Sequence, residues 1–427
     1  MEKKIIKRQP LGNPKRLYRQ DRFIISTFKA DCPDVRGGIR AAKDLNFNMV
    51  EFGWVDPKRS LECMTACEEV GLDGVFQNWE AFGGFQETKG GDSLNEEALK
   101  KYLEHTKKYR HVAGYYVWDE PLQDEKIKEA ARQVKIIEAL DPDRLPFTVA
   151  IPSYNSTHTW ENGRFYDYLY KYANVIEPAV MSLDYYPFSP RRPEPADQLD
   201  SSKLFCDIAL LRKIALEKGI PMWFYFQSQD DPAKGTYHHL SPEKLRMQQF
   251  NAVLHGAKGL QNYNIREGAL NADGSKGPLF WYTQDLNRRC LMLGDTLMAL
   301  TSTHVFHSPE VLKDNPVFDL FRESPASSAV LADAPLPFRC SVGEFTDSEG
   351  NPYIFVLNRD YNERRPQKLA LRTAFRIYEV SQLDGNQHLI SDSSDTLELS
   401  LNAGDGRLFR LQDPAETPCL IDYVLEK

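Results

Sequence analysis

Ala113-Gly-Tyr-Tyr-Val-Trp118, a helical pattern over Asp124–Leu140 and Pro146-Phe-Thr-Val-Ala-Ile151 make one unit of strand, helix and strand. Both short runs are rich in β-branched and aromatic residues and end in turn signals, as buried strands do. Asp141-Pro142 ends the helix between them, because the residue before a proline is driven out of helical angles. The alternation continues in both directions. Upstream runs are Phe23–Phe28, Asn48–Trp54 and Gly74–Trp79; downstream runs are Ala179–Asp184, Met222–Gln227 and Gly259–Ile265. Helical patterns lie between, at Val35–Leu45, Leu61–Val70, Asn95–Lys108, Leu204–Lys218 and Pro242–His255. The last opens on Ser241-Pro-Glu-Lys244, an N-cap serine with proline at the first helical position. Eight strands alternating with helices predict a (β/α)8 TIM barrel over residues 21–303. An open doubly wound sheet would carry a glycine-rich phosphate turn after its first strand, and Ser26-Thr-Phe-Lys-Ala-Asp31 is not one.

Beyond Leu300 the texture changes. All six tryptophans lie before it, and helical patterns give way to short alternating runs such as Tyr353–Leu357, Phe375–Val380 and Leu397–Leu401. Turn clusters such as Asp347–Pro352 and Asn402–Gly406 separate them. Residues 304–427 therefore read as a small C-terminal β-sandwich, and residues 1–20 as an N-terminal extension.

The bulk numbers exclude several classes. With a net charge of −8 over 427 residues, no nucleic-acid partner is expected, since phosphate binding needs clustered cations. The one basic stretch, from Lys3 to Arg16, reads as a surface tail. Seven scattered cysteines suggest no disulfide framework, and Cys63 and Cys67 have no second metal-spaced pair, so no metal site is expected. No run of about 18 apolar residues could span a membrane. The first residues lack the apolar core of a signal peptide, which leaves the compartment open. No cofactor motif is present, so no cofactor is expected.

In a barrel of this kind, chemistry gathers at the C-terminal strand ends. Those ends supply Trp54, then Trp79-Glu80, then Trp118-Asp119-Glu120. They continue with Tyr154, Asn155, His158 and Trp160, with Asp184-Tyr185-Tyr186, with Gln227 and Gln229, and with Asn264 and Glu267. This rim is aromatic, acidic and amide-rich, which suits a carbohydrate. Sugar rings present C–H faces to aromatic side chains, and their hydroxyls need amide, carboxylate and phenol partners. Cleaving a glycosidic bond needs two carboxyl groups, one held protonated. Pro121 biases Glu120 toward an extended conformation and ends the strand. A carboxyl partly desolvated beside Trp118 should have a raised pKa, as a general acid needs.

The end Trp118-Asp-Glu-Pro121 resembles the acid/base position of the large clan of (β/α)8 glycoside hydrolases that includes β-galactosidases, agarases and β-glucanases. Asp184-Tyr-Tyr-Pro187 and Phe250–Tyr263 are similar to segments of glycosidase-like proteins of that clan, and Gly404–Leu411 resembles the last strands of their C-terminal sandwiches. The resemblance implies a glycoside hydrolase with Glu120 as general acid/base. Two departures stand out. Asp119 replaces the clan's usual asparagine, and the seventh strand ends in Gln227-Ser-Gln229, where the clan has a nucleophilic glutamate. An amide cannot form the glycosyl ester. The second carboxylate must come from Glu267, Asp184, or Asp230 or Asp231, with Glu51 and Glu80 as further candidates. Two other readings stay open: a non-catalytic carbohydrate-binding barrel that keeps the aromatic rim, and a barrel enzyme of other chemistry, which would cluster His and Asp on several strand ends.

Overall fold

The computed structural model describes residues 2–30, 34–82, 94–154, 163–188, 202–229, 240–311, 313 and 317–426. After β1 (Glu2–Arg8), strand and helix alternate through β2 (Ile24–Phe28), α1 (Val35–Asp44), β3 (Met49–Phe52), α2 (Pro57–Val70) and β4 (Asp73–Phe76). The series goes on with α3 (Trp79–Phe82), α4 (Glu96–Thr106), β5 (Val112–Asp119), α5 (Asp124–Leu140), β6 (Leu145–Val149), α6 (Arg164–Ile176) and β7 (Met181–Tyr185). It ends with α7 (Leu204–Lys218), β8 (Met222–Gln227), α8 (Pro242–Leu254), β9 (Gly259–Tyr263), α9 (Phe280–Met292) and α10 (Gly294–Ala299). Strands β2 to β9 form one parallel sheet in the order β6-β5-β4-β3-β2-β9-β8-β7. The Ala150–Leu183 bridge joins its two edges, and Ala150 donates its N–H to Ser182 O at 2.9 Å. This is the predicted TIM barrel. Every residue of β2, β3, β6, β7 and β8 is buried, as expected of parallel strands covered by helices on one face and filled by side chains on the other. The helix signals act as read: Ser241 accepts from Lys244 N–H at the start of α8, and α5 stops at Leu140.

The rest of the chain forms the β-sandwich, whose six-stranded sheet is antiparallel. Strands β10 (Thr301–His307), β11 (Cys340–Thr346), β12 (Pro352–Asn358), β13 (Arg365–Val380), β14 (Gln387–Leu401) and β15 (Gly406–Gln412) pair in the order β10-β11-β12-β15-β13-β14. Irregular register between Ala370 and Phe375 bends the long β13–β14 hairpin. Its leucines Leu369, Leu371, Leu397 and Leu401 then share a core with Val342, Ile354, Val356 and Phe409. The opposite face rests on the barrel, with Phe355 5.5 Å from Phe250 of α8 and Arg289 of α9 donating to Asp405 at 2.6 Å. Gly343 allows this approach, since a Cβ there would overlap the carbonyl of Leu254.

The basic N-terminal stretch differs from the expected surface tail. β1 pairs in parallel with β16 (Cys419–Leu425), and the residues that follow cover the barrel floor. Arg16, 6% exposed, donates to the carbonyls of Ile176 at 2.7 Å and Glu177 at 2.8 Å, where a cation meets the end of α6. Tyr18 packs with Leu145 and Trp223, and Gln20 accepts from Trp223 Nε1 at 2.8 Å.

Candidate active site

The site grows from the end of β5. The register of β5 against β6 shifts between Tyr116 and Trp118, so the inward-outward alternation changes there. Trp118 enters the main core instead of lining the mouth, and Tyr116 donates its hydroxyl to Asp119 Oδ1 at 2.7 Å. Glu120 donates its N–H to Val149 O at 3.1 Å, and its φ is 48°. The expected extended backbone is not adopted. Proline disfavours only the right-handed helical region for its predecessor, and Glu120 takes the left-handed one. Lys29, Trp54 and Glu267 share this conformation, each just past a barrel strand, with φ of 54°, 59° and 55°. Non-glycine residues in this region cost about 1–2 kcal/mol each and cluster where function requires a side chain to point one way.

Asp184 of β7 is buried and lies in hydrogen-bond reach of both Glu120 and Tyr186. Burial pushes its pKa up, and the charge of Asp119 adds to this; the hydrogen bonds from Tyr186 and Glu120 oppose it by favouring the ionised form. Its Oδ1 has no hydrogen-bond partner among the described residues. Tyr154 accepts the N–H of Tyr186 at 3.2 Å, and its ring meets Tyr185 edge-on at 4.7 Å. An aromatic arc runs on from there. Tyr186 stacks on Tyr263 at 5.0 Å, Tyr263 on Phe28 at 5.7 Å, and Phe28 meets Trp54 at 5.5 Å. The Lys29 ammonium sits 4.6 Å from the Trp54 ring centre.

Below the mouth, a polar chain crosses the barrel interior. Glu51 Oε1 accepts from Ser26 Oγ at 2.5 Å and from Gln261 Nε2 at 2.9 Å, and Gln261 Oε1 accepts from Ser182 Oγ at 2.7 Å. Glu51 is fully buried, and its Oε2 has no partner among the described residues. Burial pushes its pKa from 4.5 up to about 7, against two hydrogen bonds that favour the anion. The fold therefore binds this proton more tightly than the unfolded chain does. The stabilisation is complete below about pH 4.5 and is lost as pH rises through about 7. The difference amounts to about 3 kcal/mol. Glu51→Gln, which stays neutral, should therefore melt higher than wild type at pH 8, with the gap shrinking toward pH 4.5. Melting curves at several pH values check this, and a gap independent of pH refutes it.

The remaining predicted residues divide. Trp79 is 41% exposed at the start of α3 beside the exposed Glu80, on the mouth side. Gln227 is fully buried, with its amide accepting from Phe188 N–H at 3.0 Å and donating to Gln229 O at 3.3 Å. Gln229 donates to Glu267 Oε2 at 2.8 Å and accepts from Asn264 at 3.2 Å. Glu267 is thus engaged on the β9 side of the rim, while Asp184 is the carboxyl beside Glu120. Asn155, His158, Trp160, Asp230 and Asp231 lie outside the described residues. Among the described residues no three His, Cys, Asp or Glu side chains are placed to hold a metal ion. Tyr116, Tyr263 and Lys29 were not among the predicted site residues. A bulge and a left-handed residue have no periodic signature, whereas Glu51, one acid in the apolar run Met49-Val-Glu-Phe52, did carry a signal.

No family model matches the chain, and no curated protein matches it in sequence. Solved structures do resemble it. A Bacteroides fragilis protein assigned provisionally as an α-galactosidase/melibiase superposes with a TM-score of 0.54 at 10% identity, over 93% of this chain and 80% of that one. The Geobacillus stearothermophilus GH27 β-L-arabinopyranosidase gives 0.52 at 10% identity, over 93% and 98% of the two chains. A second B. fragilis protein, assigned provisionally as an α-galactosidase, gives 0.52 at 11% identity, over 89% and 75%. At these identities the likeness is one of fold: the chain has the barrel-plus-sandwich architecture that these glycoside hydrolases have.

Proposed function

We propose that the chain is a glycoside hydrolase in which Glu120 is the general acid/base and Asp184 is the second catalytic carboxylate. The observation that carries the reading is the contact between these two carboxyl groups, one just past β5 and one on β7, beside an aromatic arc. Burial and the Asp119 charge raise the Asp184 pKa while the hydrogen bond from Glu120 opposes them, so the pair is suited to share one proton. In the proposed mechanism substrate binding leaves that proton on Glu120. Glu120 then protonates the glycosidic oxygen as the bond to the anomeric carbon breaks, and the Asp184 carboxylate attacks that carbon to form a glycosyl ester. Deprotonated Glu120 next removes a proton from water, which displaces Asp184 and releases the sugar. Carboxyl groups in contact leave no room for a water between them. This contact is nearer the roughly 5–5.5 Å of retaining pairs than the roughly 6.5–9.5 Å of inverting ones, and the proposed mechanism requires the two side chains to part as the glycosidic bond enters between them.

A non-catalytic carbohydrate-binding barrel is the second reading. It is favoured by Gln227, an amide engaged with backbone at the end of the seventh barrel strand. A panel of aryl glycosides and oligosaccharides, followed by proton NMR of the first-formed anomer, decides between them. Hydrolysis with retention is expected. Saturable binding without turnover on any substrate supports the second reading, and an inverted product removes Asp184 as nucleophile.

A further inference from the structure

At the barrel floor, opposite the mouth, a cavity of about 370 Å³ lies between β1, α7, the start of β8 and the junction of α10 with β10. On a chain of net charge −8, this cavity is lined by four cations, Lys7, Arg8, Arg212 and Lys258, and by no Asp or Glu among the described residues. The remaining lining is largely apolar, with Leu216 and Met222 among it. Arg8 and Arg212 have carboxylate partners outside the lining, Asp295 at 2.6 Å and Glu323 at 3.1 Å. Each also keeps one buried nitrogen, Arg8 Nε and Arg212 Nη2, without a hydrogen-bond partner among the described residues.

Lys258 differs from both. It is 8% exposed, its ammonium donates to the carbonyls of Leu297 and Leu300, and among the described residues no carboxylate pairs with it. Burial and the nearby Arg8 charge press its pKa down to about 7. A buried ammonium facing another cation is unfavourable unless an anion joins it. Apolar walls beside it select an anion that carries an apolar body.

We propose that this cavity binds an amphiphilic monocarboxylate, with its head group at Lys258 and Arg8 and its alkyl chain along Leu216 and Met222. The site is separate from the carboxyl pair at the mouth and stands whether or not that pair hydrolyses glycosides. Decanoate, used below its micellar concentration, is the probe, with decan-1-ol and acetate as controls for head and chain. Titration calorimetry of the full chain should give saturable 1:1 decanoate binding, and decanoate should raise the melting temperature. Both controls should bind far more weakly. Lys258→Met removes the charge, and Ala299→Phe fills the cavity from α10. Lys258→Met should weaken decanoate by at least about 30-fold, the effect of removing one member of a buried charge pair. Ala299→Phe should abolish saturable binding by occupying the space of the alkyl chain. If Lys258→Met does not fold, Ala299→Phe carries the test. Absence of saturable binding to wild type, decan-1-ol or acetate binding as tightly as decanoate, or unchanged decanoate affinity in the folded variants overturns the proposal.

Discussion

Glu120→Gln is expected to lower kcat on an alkyl glycoside or oligosaccharide by about 10²–10⁴-fold, with ligand affinity nearly unchanged. The substitution keeps the shape and the hydrogen-bonding capacity of the side chain and removes only its transferable proton. The left-handed turn at Glu120 and its N–H bond to Val149 O do not depend on the carboxyl, so the backbone should hold. Leaving-group chemistry makes the test specific. A 2,4-dinitrophenyl glycoside departs without protonation, so its first step should run near the wild-type rate. The second step still needs a base to activate water. The variant should therefore release one equivalent of dinitrophenol in a burst and then stall. Unchanged steady-state turnover on both substrate types would remove Glu120 from the chemistry.

Asp184→Ala should be more damaging, with activity reduced by about 10⁴–10⁶-fold, as when one member of a concerted catalytic group is deleted. Azide or formate can enter the space left by the carboxyl. Azide should restore turnover and yield a glycosyl azide of inverted configuration, because a single displacement replaces two. Stability should not follow activity. Burial and the Asp119 charge raise the pKa of Asp184, so its ionised form is the one the fold disfavours, increasingly so as pH rises through the raised value. The variant should thus melt at or above the wild-type temperature at pH 8, which separates lost chemistry from lost structure. Full activity in Asp184→Ala with loss in Glu267→Ala would transfer the second role to Glu267.

The barrel was legible because its evidence is repeated. Eight apolar runs of strand length, spaced by helical patterns and capped by signals such as Ser241-Pro242, admit few other folds. Each run overlaps the strand that forms there, most with ends differing by a residue or more. The rim was partly legible. Glu120 and Asp184 were both readable as strand-end acids, but their contact is not, because it joins strands two apart in the barrel order of the chain. Trp118 stands at a strand end and so reads as a mouth residue, but a one-residue bulge turns it into the core. The floor was not legible at all. Basic residues near a chain start look alike whether solvated or bound to the carbonyls at a helix end, and Arg16 is the second kind.

The pairing of β1 with β16 also bears on how the chain emerges during synthesis. Glu2 pairs with Cys419, 417 positions later. At roughly 5–20 residues per second, β1 waits roughly 20–80 seconds for its partner strand to exist. Throughout that interval it is an open edge, able to pair with any exposed strand on a neighbouring nascent chain. Lys3, Lys4, Lys7 and Arg8 occupy four of its seven positions, and like charges on two such strands repel. The cations of β1 are thus suited to that interval, keeping the strand solitary until its partner exists.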